Sequence, residues 1–108
     1  MPLINLTPHE IVILDTSGRE VVRLPPSGTV ARCQATATLV ETLDGVAYYA
    51  TAYGAVTGLL EPADGVRYVV SLLVRNACPD RRDLASPGEL VRGPDGQPVG
   101  CRGLAIGG

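Results

Sequence analysis

The feature that most constrains this chain is Leu43-Asp44-Gly45-Val46. An Asp-Gly pair between apolar residues is a strong hairpin signal, because a two-residue type I′ turn needs positive φ at both central positions. Setting Leu43 opposite Val46 pairs Glu41 with Tyr48, Leu39 with Ala50 and Ala37 with Ala52 on a mostly apolar face. The other face pairs Thr42 with Ala47, Val40 with Tyr49, Thr38 with Thr51 and Thr36 with Tyr53, a mixed surface suited to partial exposure or polar binding. A helix over Val30 to Glu41 competes for the first strand, since the segment contains several alanines. Thr36, Thr38 and Thr42 favour the strand, because β-branching restricts rotamers in a helix and suits a pleated surface.

The rest of the chain is punctuated in the same way. Ile11-Val12-Ile13-Leu14 and Glu20-Val21-Val22-Arg23-Leu24 flank a polar, Gly-containing turn and read as a hairpin. Thr7-Pro8-His9-Glu10 has the spacing of a capping box, yet the β-branched run after it opposes a helix, so a single turn leading into a strand is expected. Glu61-Pro62-Ala63-Asp64-Gly65 is a turn, followed by a strand at Val66 to Val70. Ser71 is placed to cap a short helix over Leu72 to Ala77, which Cys78-Pro79 ends. Asp80 to Gly88 reads as a charged surface loop, and Pro94-Asp95-Gly96 joins Leu90-Val91-Arg92 to Val99-Gly100-Cys101-Arg102 in a final hairpin.

A length of 108 residues suits one domain, and 13 glycines and 9 prolines at short intervals suit many short strands. The expectation is a mainly β single domain over residues 1–108: a compact antiparallel barrel or sandwich with one short helix and a flexible end around 105–108. With 4 tyrosines and no Phe or Trp, its core must be built from small aliphatic side chains.

Charge narrows the function classes. The formal net charge is −2 and all 9 basic residues are Arg, so the concentrated basic surface that nucleic-acid binding needs is missing. No apolar stretch approaches the ~20 residues of a membrane span, and Met1-Pro2-Leu3-Ile4-Asn5 lacks the pattern of a secretory signal, so no membrane partner and a cytoplasmic location are expected. Cys33, Cys78 and Cys101 are too widely spaced for a disulfide framework or a zinc motif and read as buried thiols. No metal or cofactor is expected.

The sharpest charged cluster is Asp80-Arg81-Arg82-Asp83, with Arg75 one helix away. Planar guanidinium groups there can hold a phosphate or carboxylate through charge-assisted hydrogen bonds, or pair locally with the aspartates. Tyr49 and Tyr53 share a face by alternation and can stack on a flat group, whereas Tyr48 points the other way. His9 and Ser71 are secondary polar candidates, with ordinary roles as a turn residue and a helix cap. A triad of His9 with Ser71 or Cys78 and Asp83 has no nucleophile elbow behind it, so an enzyme is not expected. The residues point to a non-enzymatic binding module in which Tyr49, Tyr53, Arg75, Arg81 and Arg82 receive an anionic, nucleotide-like ligand or a protein. The alternative is a homodimeric or otherwise homo-oligomeric assembly module that packs through the mixed hairpin face.

Two resemblances extend this reading. A helix at about Val30 to Leu43 after the Ile11 to Leu24 hairpin, with a terminal Gly107-Gly108, would resemble the α+β β-grasp order of ubiquitin-like sulfur carriers and imply a modified C-terminus. The opening Asn5-Leu6-Thr7-Pro8-His9, with Pro25-Pro26-Ser27-Gly28, Tyr53-Gly54-Ala55-Val56-Thr57-Gly58, Tyr68-Val69-Val70-Ser71, Asp83-Leu84-Ala85-Ser86-Pro87-Gly88 and Gly100-Cys101-Arg102-Gly103-Leu104, resembles small proteins of phages, prophages and high-GC bacteria. That resemblance spans nearly the whole chain and implies binding to a host protein or sequestration of a small nucleotide signal.

Overall fold

The computed structural model describes residues 2–107. Its elements are β1 (Leu3–Asn5), β2 (Ile11–Leu14), β3 (Glu20–Leu24), β4 (Arg32–Leu43), β5 (Val46–Thr57), β6 (Arg67–Val69), α1 (Leu72–Ala77), β7 (Leu84–Arg92) and β8 (Pro98–Ile106). Six strands form one sheet in the order β1-β6-β7-β8-β2-β3, and β4-β5 form a separate sheet of two.

The six-stranded sheet curls until its edges nearly meet, giving the expected mainly β barrel with one short helix. Its pairings are mixed: β2–β3 and β7–β8 are antiparallel, whereas β1–β6, β6–β7 and β8–β2 are parallel. The parallel pairs arise because distant segments return to the barrel through crossovers, of which β6-α1-β7 is a compact βαβ unit. Ile11, Ile13, Val69 and Cys101 fill the interior with Leu3, Val22, Leu24 and Leu104. A second cluster, Leu6, Ala31, Tyr68, Val70, Val74 and Leu84, lies against α1 and the base of β4-β5, where Cys33 and Val56 pack on it. Small aliphatic side chains thus supply both layers.

Asn5 closes the barrel. Its side chain, 2% exposed, donates to the carbonyls of His9 at 2.8 Å and Leu24 at 3.1 Å. Its Oδ1 accepts from the Thr7 amide at 2.9 Å and the Thr7 hydroxyl at 2.7 Å. The Asn-Leu-Thr-Pro-His opening is therefore a side-chain-built turn that ties β1 to β3. The short helix forms as the sequence implies: the Ser71 hydroxyl accepts from the Val74 amide at 3.3 Å, and Val74 is the buried residue of α1.

Two expectations are corrected. Leu84 to Gly88 is not surface loop but the first half of β7, with Leu84, Ala85 and Ser86 buried. Burial on the barrel wall overrides the turn propensity of Ser86-Pro87-Gly88, and Pro87 is tolerated because β6 pairs β7 only at Leu84 and Ala85. Within the end around 105–108, Ala105 stands opposite Ser86 and Ile106 opposite Ala85. The β-grasp order is absent because residues 32–43 are strand β4, and Gly108 lies outside the described residues. Among the described residues no helix is long and apolar enough to cross a membrane.

Candidate functional site

The hairpin β4-β5 stands apart from the barrel as an arm. Asp44 (φ 51°) and Gly45 (φ 80°) both adopt positive φ, as the two-residue turn requires. Each strand has 12 residues, and of these only Cys33 and Val56 are as much as half-buried. The radius of gyration is 16.6 Å, against ~13 Å for a compact chain of this size. At the neck, Arg32 pairs with Thr57, and Gly58 (φ 79°) sits so close to Val30 that a Cβ there would strike the Val30 carbonyl oxygen.

The pairing follows the expected register from Leu43–Val46 to Glu41–Tyr48 and then departs from it. Val40 is an extra residue: Leu39, not Val40, stands opposite Tyr49, followed by Ala37 opposite Thr51 and Ala35 opposite Tyr53. A second irregularity in β5, between Tyr53 and Val56, restores the offset. The correction matters for the surface. The face carrying Tyr49 and Tyr53 also carries Leu39, Ala37 and Ala35 where Val40, Thr38 and Thr36 were expected, so it is the more apolar of the two. Tyr48 lies on the opposite face by alternation. Tyr49 is 62% exposed and Tyr53 55%, in company with exposed Leu39, Val40, Leu43 and Val46. From Cys33 to Thr57 the only charged residues are Glu41 and Asp44.

A second surface gathers arginines. Arg75, Arg81 and Arg82 line one depression of about 350 Å³ with Asn76, Pro79, Ile106 and Gly107. Neither Tyr49 nor Tyr53 lines it, so the arginines and the aromatics form separate surfaces. Arg81 is engaged internally rather than free for a ligand. Its Nε and Nη2 donate to Asp83 at 2.9 and 2.8 Å, and Nη2 also donates to the Leu60 carbonyl at 2.9 Å. The Arg81 guanidinium holds the Asp83 carboxyl below its ordinary range, and Asp83 raises the Arg81 pKa in turn. Arg75 differs: its Nε and Nη1 are buried with no hydrogen-bond partner among the described residues. Arg82 is exposed.

The secondary candidates have structural tasks. His9 is exposed, and its carbonyl, not its ring, receives the Asn5 amide. The Ser71 hydroxyl is spent on the cap of α1. Cys33, Cys78 and Cys101 are free thiols, and among the described residues no three His, Cys, Asp or Glu side chains gather as metal ligands. The Val40 bulge and the Asn5 latch were missed by sequence reasoning. For Asn5 a signal existed, in the Asn-x-Thr spacing of a side-chain turn; for Val40 there was none. No protein-family model, curated protein or solved structure matches the chain.

Proposed function

We propose that this protein is an assembly module whose projecting hairpin joins it to another copy of itself. The observation that carries the reading is an arm of two 12-residue strands that exposes Leu39, Tyr49 and Tyr53 on one face. A two-stranded ribbon is marginal alone in water, and contiguous exposed apolar surface marks interaction sites. Soluble proteins guard strand edges with Lys, Pro or inward charges. This arm has none of these between Cys33 and Leu39 or between Val46 and Thr57. The three free thiols suit a reducing, cytoplasmic setting.

Sedimentation of the full chain over a range of concentrations, with hydrogen exchange of the arm amides in the same samples, tests this reading. Association accompanied by slowed exchange in β4 or β5 supports it. A monomer throughout, with fast arm exchange, overturns it.

One observation favours a second activity. Buried polar nitrogens without partners are rare and costly, and Arg75 Nε and Nη1 face this situation beside Arg82 in an arginine-lined depression. An anion with phosphate or carboxylate oxygens would satisfy them.

A further inference from the structure

The outer edge of β5 has a property that the assembly reading does not require. Read from Thr51 in both directions, the strand is nearly a palindrome: Ala50 and Ala52 flank Thr51, then come Tyr49 and Tyr53, Tyr48 and Gly54, Ala47 and Ala55, and Val46 and Val56. Only Tyr48 and Gly54 break the symmetry.

Two copies of a strand paired antiparallel about a two-fold axis place each residue opposite its mirror position. With the axis at Thr51, Tyr49 faces Tyr53 of the second copy, Ala50 faces Ala52 of the second copy, and Thr51 faces Thr51 of the second copy. Large side chains meet large ones and small meet small. Cross-strand aromatic and Thr–Thr pairs are among those that stabilise sheets. The exceptional pair also fits, since an aromatic ring laid across from an edge glycine covers the backbone that the glycine leaves bare, and Tyr48 falls opposite Gly54 of the second copy. Shifting the axis by one residue sets the tyrosines against small residues and loses these matches.

We propose that β5 pairs with β5 of a second copy, antiparallel and centred on Thr51, so that two arms merge into one four-stranded sheet. This inference rests on the assembly reading and specifies its strand, symmetry and register. Three features of the arm support it. The irregularity in β4 at Val40 leaves β5 unbroken there, and the irregularity in β5 begins only after Tyr53, so the central pairs lie on regular strand. β5 carries no charge along its length. The Val40 bulge places Leu39 beside Tyr49, which builds a row across the merged sheet: Leu39, Tyr49, then Tyr53 and Ala35 of the second copy. Without the bulge, Val40 and Thr36 would occupy the ends of that row. Because the matched edge is short, the dimer is concentration-dependent.

The test uses the full chain with substitutions in β5. T51C places one thiol on each side of the axis, and oxidised glutathione is expected to join the two copies by a disulfide. A50C alone is expected to give no cross-linked dimer, because Ala50 faces Ala52 of the second copy, whereas the double variant A50C/A52C is expected to cross-link. The unsubstituted chain under the same oxidant controls for Cys33, Cys78 and Cys101. T51K sets two ammonium groups face to face and is expected to abolish the dimer at concentrations where the native chain is dimeric, with an unchanged circular dichroism spectrum. A dimer that survives T51K, shows protected arm amides and does not cross-link through T51C overturns this register and leaves the assembly reading standing. A chain that is monomeric at every concentration overturns both.

Discussion

Asn5 on the first strand of the barrel donates to the Leu24 carbonyl of β3 at 3.1 Å, and this contact joins the two edges of the sheet. The same side chain serves Thr7 and His9, so all its hydrogen-bonding groups are engaged at 2% exposure. Asn5→Ala removes these bonds and leaves buried backbone groups unsatisfied, for an expected loss of about 3 kcal/mol. Asn5→Asp is expected to cost as much or more at neutral pH, because it replaces the donor with a buried charge. Urea unfolding of both variants checks this; losses under 1 kcal/mol would remove Asn5 from its closing role.

Gly58→Ala is expected to destabilise the chain by about 2 kcal/mol or more, since it combines a left-handed backbone (φ 79°) with a collision against the Val30 carbonyl oxygen. Gly18, also at positive φ (89°), has open space around its Cβ position. Gly18→Ala is therefore the comparison that separates backbone strain from collision. Thermal melts in which the two variants lose equal stability would dismiss the close approach at the neck.

The Arg81–Asp83 pair sets an acid limb. Asp83 is held below the ordinary aspartate value in the folded chain, chiefly by the Arg81 hydrogen bond. The unfolded chain therefore takes up the Asp83 proton at a higher pH than the folded one. The pair's contribution is fully present above the unfolded pKa and is lost as pH falls through the folded pKa. Half-buried Asp15, lowered by the hydrogen bond from the Ser17 hydroxyl, adds to the same limb. In Asp83→Asn the fall in stability below about pH 4 should be shallower but not abolished, as followed by denaturant midpoints across pH. An unchanged slope would show that the pair contributes nothing.

Arg75→Met tests the arginine depression. Replacing unpartnered buried nitrogens with an apolar side chain of similar length is expected to leave stability unchanged or raise it in phosphate-free buffer. Added inorganic phosphate or pyrophosphate should raise the melting temperature of the native chain and not that of the variant. Equal response of both proteins would end the anion reading.

The features legible in the sequence are those carried by local backbone chemistry. Asp44-Gly45 demanded positive φ at adjacent positions and obtained it. Ser71 and Cys78-Pro79 bounded a helix too short to be found by periodicity, and the last hairpin closes through the Gly93 amide and the Gln97 carbonyl at 2.9 Å. What escaped was decided by neighbours far along the chain. Pro87 and Gly88 look like a turn, yet β7 runs through them because β6 has already ended and because a glycine lets the Arg102 carbonyl approach.

The candidate surfaces were partly legible for the same reason. Arg75, Arg81 and Arg82 stand near one another in the chain, and they line one depression. That Arg81 is occupied by Asp83 and Leu60 while Arg75 is left without partners depends on the fold of residues 59–61 against the loop after α1. Tyr49 and Tyr53 share a face as alternation requires, but a single extra residue at Val40 changed which β4 side chains lie beside them. A bulge leaves no mark in composition.

The arm departs from the barrel and returns to it side by side, through Arg32 and Thr57. Beyond Cys33 and Val56 its side chains pack against no part of the barrel core. Substitution along the tip and flanks is thereby uncoupled from the packing of the barrel. The hairpin can be rewritten residue by residue without compensating changes in the core.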